Sequence, residues 1–288
     1  MINHNFAVFI LTHGRADKVI TYKTLRKCGY TGRIFLLVDS FDKQIDQYKA
    51  KYGEQVIVFN KQKAIDMTDS GDNQQKHNSV VYARNYNFVV AKELGIDYFL
   101  QLDDDYNEFR FSFDLDLNYK TKEYVRNFDS ACNVFIDYLI NSKIKSICFA
   151  QSGDFIGGDN SSIISKFRDG EIPRKIMNCF FFATDNPVKF MGRINEDVNL
   201  YTANGLKGDV FITHPYIRVN QADTQQNSGG LTEIYLDLGT YVKSFYSVMY
   251  APSCVKIHVM GVNQKRIHHR VSWNNAVPKI LNESVKKQ

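Results

Sequence analysis

The feature that most constrains the fold is an apolar stretch that ends abruptly in three carboxylates. Residues 96–102 read Ile-Asp-Tyr-Phe-Leu-Gln-Leu, and Asp103, Asp104 and Asp105 follow at once. A short apolar run predicts a buried strand, and in open α/β sheets ligands bind at the carboxyl ends of the strands. Adjacent carboxylates also repel one another unless water or a cation screens them. The stretch indicates either a solvated acidic turn or a divalent-metal site for a phosphorylated substrate, and we favour the metal site.

The chain before this stretch alternates between strands and helices. Strands are predicted at 6–11, 33–38 and 56–59, and helices at 17–27 and 42–51. This β-α-β-α-β order is typical of a right-handed, parallel nucleotide-binding half. In the later part of the chain, helices are predicted at 79–94 and 122–140, and another is predicted to end at 204. Strands are predicted at 145–150, 176–183, 210–212 and 254–260, with an antiparallel edge strand at 109–113. A loop is predicted at 61–78 and a mobile lid at 221–230. We therefore predict one α/β domain with a mostly parallel central sheet flanked by helices.

The charge of the chain is concentrated at one end. Residues 251–288 hold seven Lys and Arg against one Glu, which gives 7 − 1 = +6, whereas the whole chain has a net charge of +5. Residues 1–250 therefore sum to 5 − 6 = −1 and are predicted to form the nucleotide-binding body, with 251–288 as a basic C-terminal segment that packs on it. This asymmetry indicates a polyanionic partner such as nucleic acid or nucleotide. A solubilising tail is the alternative.

The remaining composition argues against membrane and disulfide-rich classes. No apolar run approaches the roughly 20 residues that span a bilayer, and the first residues lack the pattern of a secretory signal. The five cysteines are scattered and form no CxxC pair, so we expect neither a disulfide framework nor a structural zinc site. A reducing cytoplasm fits this pattern.

Polar side chains follow the other predicted strands as well. The turn after the first strand contains Thr12 and Arg15, which can bind a nucleotide base or phosphate, although such turns often carry Arg for structural reasons. Asp39 ends the second strand, from where it can meet a base or ribose or cap a helix. Glu196 and Asp197 form a later acidic pair. One of these can remove a proton from an acceptor hydroxyl, and a helix cap is the alternative.

The three consecutive carboxylates are predicted to differ in role. Along an extended backbone, Asp103 and Asp105 share one face and Asp104 points elsewhere. Mg²⁺ or Mn²⁺ prefers such oxygen ligands and commonly bridges them to a diphosphate. We expect Asp105 to contact the metal directly and Asp104 to tolerate replacement best. His268 or His269 is a candidate to complete the metal shell, although both can equally be ordinary surface histidines.

The order of these motifs resembles that of a GT-A glycosyltransferase. The Arg15 turn is followed by Ala83-Arg84-Asn85 on a helix, then Asp103-x-Asp105, then Asn195-Glu196-Asp197. The resemblance implies that Asp-x-Asp holds the metal and the diphosphate of a sugar nucleotide, while the later Glu-Asp faces the acceptor. It also implies a C-terminal histidine at the metal. The donor-binding set that it implies is Thr12, Arg15, Asp39, Arg84, Asp103 and Asp104.

A closer resemblance involves the C-terminal third of the chain. The segments 195–197, 229–232 (Gly-Gly-Leu-Thr) and 273–279 (Trp-Asn-Asn-Ala-Val-Pro-Lys) are similar to phage-type TET-associated glycosyltransferases, which modify hydroxymethylated pyrimidines in DNA. This resemblance implies a UDP-sugar donor and a DNA acceptor, with a location in the host cytoplasm if the protein is phage-encoded. No obligate protein partner is evident from the sequence. It also implies a basic DNA-binding surface at Lys265, Arg266 and Arg270, with salt-sensitive affinity.

Other functions remain compatible with the same residues. A GT-A glycosyltransferase can act on a glycan or protein, and a nucleotidyltransferase uses the same metal–carboxylate chemistry but releases pyrophosphate. A non-catalytic module would bind DNA or a nucleotide sugar without turnover. The sequence leaves open the sugar, the stereochemistry of transfer, the acceptor base, the oligomeric state and which histidine, if either, binds metal.

Overall fold

The computed structural model describes residues 1–155, 157–161, 164–165, 179–221, 239–261 and 265–286. The strands are Phe6–Leu11 (β1), Arg33–Asp39 (β2), Val56–Phe59 (β3), Tyr98–Asp103 (β4), Tyr106–Phe111 (β5), Ser146–Gln151 (β6), Phe180–Ala183 (β7), Phe211–Gln221 (β8), Val255–Met260 (β9) and Arg266–Val271 (β10). The described helices are Ile20–Lys27 (α1), Ile45–Tyr52 (α2), Lys61–Asp66 (α3), Val81–Glu93 (α4), Phe128–Ser142 (α5), Glu196–Gly205 (α6), Lys243–Tyr250 (α7) and Trp273–Ala276 (α8).

The first eight strands form one sheet in the order β3-β2-β1-β4-β7-β6-β8-β5. The four strands β3, β2, β1 and β4 pair in parallel, and so do β6 and β8, whereas β7 and the edge strand β5 run antiparallel to their neighbours. The prediction of a mostly parallel α/β sheet is therefore confirmed, as is the antiparallel edge strand near residue 109.

Buried apolar strands explain why the sheet lies between layers of helices. All six residues of β1 are buried, which is typical of a parallel strand covered on both faces. Aromatic rings fill the space beside it, and Phe99 contacts Phe9 and Phe182 at ring-centroid distances of 5.3 and 5.6 Å. This rigid core fixes the positions at which the strands end.

The sheet topology places the end of β4 beside the end of β1. From β1 the chain moves outward to β2 and β3 and then returns to β4 on the other side of β1. In the parallel register, Leu11 lies opposite Asp103. Such a reversal of strand order opens a crevice at the carboxyl edge of the sheet, where ligands bind in this class of fold.

Several predicted boundaries need correction. Residues 61–66 were expected in a loop but form α3, because Asn60 caps the helix by accepting a hydrogen bond from the Lys63 amide at 2.9 Å. Helix α5 begins at Phe128 rather than 122, after Asn127 caps it in the same way. The predicted lid at 221–230 lies outside the described residues except for Gln221, and so does the Gly-Gly-Leu-Thr segment.

The basic C-terminal segment contains a strand that the sequence did not predict. Strands β9 and β10 pair antiparallel in a separate two-stranded sheet, here called the C-terminal hairpin. Helix α7 packs against both of its strands. Across the parts of the chain that the structure describes, no helix is long and apolar enough to cross a membrane.

Candidate active site

The carboxylates after β4 lie in a turn rather than on an extended strand. Strand β4 ends at Asp103, and Asp104 and Asp105 form the turn into β5. Thr21 at the start of α1 holds this turn: its hydroxyl donates to the Asp103 carbonyl at 2.7 Å, and its amide donates to the Asp104 carbonyl at 3.1 Å. The expected alternation of side chains along an extended backbone was therefore wrong beyond Asp103.

Asp104 is the most enclosed of the three carboxylates. Its side chain accepts hydrogen bonds from the Thr12 hydroxyl at 2.6 Å and from Arg15 Nη1 at 3.0 Å, and the residue is only 3% exposed. Tyr48 supports both partners, because its hydroxyl accepts the Arg15 amide at 2.8 Å and lies 2.9 Å from the Thr12 hydroxyl. Asp104 therefore has two polar partners within the fold, and its tolerance of replacement stays a prediction.

Arg84 joins the end of β4 to the second acidic pair. The residue is 1% exposed. Its guanidinium donates from Nη2 to Asp103, from Nε to Glu196 and from Nη1 to Gln101, at 3.0, 3.0 and 3.1 Å. Burial opposes its charge, but the carboxylates of Asp103 and Glu196 raise the pKa of Arg84 above its usual value. Arg84 was predicted to hold the donor nucleotide, and that role stays a prediction; in the structure its guanidinium contacts the carboxylates of Asp103 and Glu196.

The acidic pair at the start of α6 faces the same region. Glu196 and Asp197 are both buried. Burial raises the pKa of Asp103, Arg84 opposes that shift, and the charges of Asp104 and Asp197 add to it. The charge of Asp197 also raises the pKa of Glu196. Burial, more than these charges, raises the pKa of Glu196 to about 7, although Arg84 opposes the shift. Asn195 precedes the helix with φ of 56° and makes no capping hydrogen bond. Its side chain instead donates to the Lys243 carbonyl at 2.7 Å.

The carboxylate turn carries more negative charge than nearby cations neutralise. Burial first, and then the charges of Asp103 and Asp104, raises the pKa of Asp105 to about 7. Within the described residues, the Asp105 side chain forms no ion pair, whereas Asp104 pairs with Arg15 and Asp103 with Arg84. A hard divalent cation held by one or two carboxylates together with substrate phosphates and water fits this donor set.

The predicted histidine ligands are not brought into that set. Among the described residues, no group of three or more His, Cys, Asp or Glu side chains is arranged to hold a metal ion. His269 Nδ1 lies 3.2 Å from the Asn195 side-chain nitrogen, and His268 Nδ1 lies 2.7 Å from the His269 carbonyl. Both histidines lie on β10, so the structure does not assemble the ligand set of Asp103, Asp105, His268 and His269.

Asp39 lies in a second polar cluster at the same edge of the sheet. His13 Nδ1 is 2.9 Å and Lys61 Nζ is 3.4 Å from its carboxylate. Burial opposes ionisation of Asp39, but His13 and Lys61 lower its pKa below the usual value. The hydrogen bond to Asp39 in turn raises the pKa of His13. The sequence reasoning missed Lys61, although its place just after β3 matches that of Asp39 at the end of β2.

The remaining predicted residues lie on or beside the C-terminal hairpin. Arg266 and Arg270 belong to β10, Lys265 precedes it, and all three are exposed. Their assignment to DNA binding stays a prediction, as do the donor-binding roles of Thr12, Arg15 and Asp39. The structure thus brings the predicted donor-binding residues and the acidic residues to one edge of the sheet, whereas the predicted DNA-binding residues belong to the C-terminal hairpin.

Comparison with known proteins identifies a family. The family model described as TET-Associated Glycosyltransferase matches residues 6–230. The search of curated protein sequences found no match. Among solved structures, a mannosyltransferase from Pyrobaculum calidifontis in complex with GDP-Man and Mn²⁺ is similar at 13% identity and a TM-score of 0.45, covering 78% of this chain and 58% of that one.

Two further solved structures have similar statistics. S. aureus TarS 1-349 in complex with UDP-GlcNAc has 14% identity and a TM-score of 0.40, and the match covers 85% of this chain and 67% of that one. A cytidylyltransferase from Leptospira borgpetersenii has 12% identity and a TM-score of 0.38, with 86% and 88% covered. The present chain spans 58% of the length of the mannosyltransferase chain described above.

Proposed function

We propose that this chain, which belongs to the TET-associated glycosyltransferase family, transfers a sugar from a UDP-sugar to a hydroxymethylated pyrimidine in DNA. The observation that carries this proposal is the carboxylate turn at the end of β4. It lies at the switch point of the sheet beside the Thr12–Arg15 turn. A sugar nucleotide has a base, a diphosphate and a reactive carbon, and this edge offers groups suited to each.

The donor is proposed to lie across the ends of β1, β2 and β4. Asp39 and its partners face the base and ribose, and the Thr12–Arg15 turn faces the diphosphate. Asp103 and Asp105 would hold Mg²⁺ or Mn²⁺. When bound, such an ion supplies positive charge that stabilises the departing nucleoside diphosphate. The buried Arg84 keeps Asp103 in place without needing to touch the donor itself.

The acceptor is proposed to lie against the start of α6. Asp197 is the first choice of general base, because one Glu196 oxygen already accepts a hydrogen bond from Arg84. Asp197 would take the proton of the acceptor hydroxyl. The oxygen of that hydroxyl would form a bond to the sugar carbon, while the bond from the same carbon to the diphosphate oxygen breaks. Glu196 is the alternative base, since a pKa of about 7 suits proton transfer near neutral pH.

The direct test is an acceptor and donor screen. The protein is incubated with a panel of UDP- and other nucleotide sugars and with DNA that contains hydroxymethylcytosine, and the nucleosides are then analysed by mass. We expect a hydroxymethylated nucleoside that has gained one sugar, with release of nucleoside diphosphate. Transfer to a polysaccharide or protein but not to DNA would refute the acceptor. Release of pyrophosphate would indicate a nucleotidyltransferase, and DNA binding without donor consumption would indicate a non-catalytic module.

The metal assignment has its own test in Asp105→Asn. The substitution preserves size but removes the one carboxylate of the turn that has no ion pair in the described chain. Loss of several kcal/mol of charge stabilisation predicts a fall in sugar transfer of about 100-fold or more. The exposed Asp116→Asn serves as the matched control and should keep wild-type activity. Full activity of Asp105→Asn, or undiminished activity after exhaustive chelation, would contradict the metal role.

A further inference from the structure

The C-terminal hairpin has two chemically different faces. In its antiparallel register Lys256 lies opposite Arg270, His258 opposite His268, and Met260 opposite Arg266. Opposite residues share a face, and successive residues alternate between faces. One face therefore carries the residues Lys256, His258, Met260, Arg266, His268 and Arg270, here called the cationic face. The other carries Val255, Ile257, Val259, Ile267, His269 and Val271.

The second face turns toward the protein body at the base of the hairpin. Val255 is fully buried and Val271 packs against the main core. His269 reaches Asn195, the residue immediately before Glu196. The cationic face therefore points away from the body, while the base of the hairpin lies beside the acidic pair. The cationic face is therefore left open to a partner outside the protein body.

The positive charges of this face have no counter-charge in the described chain. Lys256, Arg266 and Arg270 are exposed, and their side chains form no ion pair or hydrogen bond with any described residue. Lys256 and Arg270 also lie directly opposite each other. Like charges in that relation destabilise a sheet, and a bound polyanion would remove the repulsion.

We propose that the cationic face of the C-terminal hairpin docks in the major groove of duplex DNA. This inference rests on the proposed function. Two strands about 4.8 Å apart fit a groove roughly 12 Å wide. Arg266 and Arg270 lie four residues apart on β10, about 13 Å along the strand, and Lys256 lies opposite Arg270 on β9, so the three cations can contact separate phosphates. The C5 substituent of a pyrimidine also projects into the major groove, which is where a hydroxymethyl group would be presented.

The test measures how binding to unmodified duplex DNA depends on salt, by fluorescence anisotropy and without donor. The triple variant Lys256→Thr, Arg266→Thr and Arg270→Thr removes the cations with a residue suited to strands. Each lost phosphate contact reduces the slope of log affinity against log salt by about 1, so we expect a reduction of about 3. The matched control removes three exposed helix charges, with Lys49→Ala, Lys63→Ala and Lys92→Ala, and should retain the wild-type slope. Circular dichroism verifies that both triple variants are folded.

Each result decides the inference. An unchanged slope in a folded hairpin variant, or an equal reduction in the control, would overturn it. The inference would also be overturned if the wild-type protein bound a sulfated polysaccharide more tightly than duplex DNA and the hairpin variant lost that binding. This result would identify an anionic glycan as the partner. The expected slope reduction would support DNA docking even if no sugar were transferred to hydroxymethylated DNA. A failure of sugar transfer would refute the proposed function and leave the docking inference standing.

Discussion

Two regions of the molecule handle electric charge in opposite ways. At the carboxylate turn, Arg84 is buried and contacts both Asp103 and Glu196. On the cationic face of the hairpin, Arg270 is exposed and has no side-chain partner among the described residues. The same residue type thus serves the interior of the protein in one region and faces solvent in the other.

The difference follows from the cost of removing a charge from water. A buried ion without a partner costs several kcal/mol, so Arg84 and its carboxylates must be paired within the fold. Their arrangement is therefore complete before any ligand binds. Exposed ions lose little hydration and gain little from protein partners. They remain available to an external polyanion, so the first region suits chemistry and the second suits docking.

The largest expected effect comes from removing the buried cation. Arg84→Met leaves the carboxylates of Asp103 and Glu196 without their shared partner. Breaking a buried ion pair in this way costs about 3–5 kcal/mol in the free energy of unfolding, which urea denaturation measures. Arg270→Thr on the hairpin is the matched control and should change that free energy by less than about 0.5 kcal/mol. Equal losses in the two variants would erase the contrast between the regions.

A smaller effect is expected from the hydroxyl that supports Asp104. Thr12→Val keeps the shape of the side chain but removes hydrogen bonds to Asp104 and to Tyr48. Leaving a buried acceptor unsatisfied costs about 1–3 kcal/mol, again measured by urea denaturation. The exposed Thr121→Val should change stability by less than about 0.5 kcal/mol. A neutral Thr12→Val would mean that Arg15 alone satisfies Asp104.

The smallest effect concerns His13, whose side chain is 59% exposed and pairs with Asp39. The hydrogen bond to Asp39 raises the folded pKa of His13 above 6.5. The stability that this pair contributes is therefore present below pH 6.5 and lost as the pH rises through the folded pKa. His13→Gln should lower the free energy of unfolding more at about pH 5.5 than at about pH 8. The difference between the two losses should be less than about 1 kcal/mol, because solvent screens the pair. Urea midpoints at both pH values test this, and a larger loss at the higher pH would contradict it.

The sequence was most informative where one local property dominates. Strands β1 and β3 were predicted with the observed bounds because each is a short continuous apolar run, a pattern that favours a strand. Helix α3 was missed because its short polar sequence has no apolar periodicity, and its cap at Asn60 was overlooked. Strand β10 was missed because the segment was interpreted by its positive charge, and the alternation of Arg and His with apolar residues along it was not recognised as a strand pattern.

The sequence alone determined the alternation of strands and helices, the three carboxylates after a buried strand and the concentration of positive charge at the C-terminus. Only the tertiary structure decided which charges meet. Arg84 and Glu196 are 112 residues apart and Thr12 and Asp104 are 92 apart, so no local pattern can reveal their contacts. The reason is that the long-range pairing of buried ions depends on strand order and register, whereas apolar periodicity is a local property. The carboxylates were therefore found from sequence, but the partners of each carboxylate were found only in the fold.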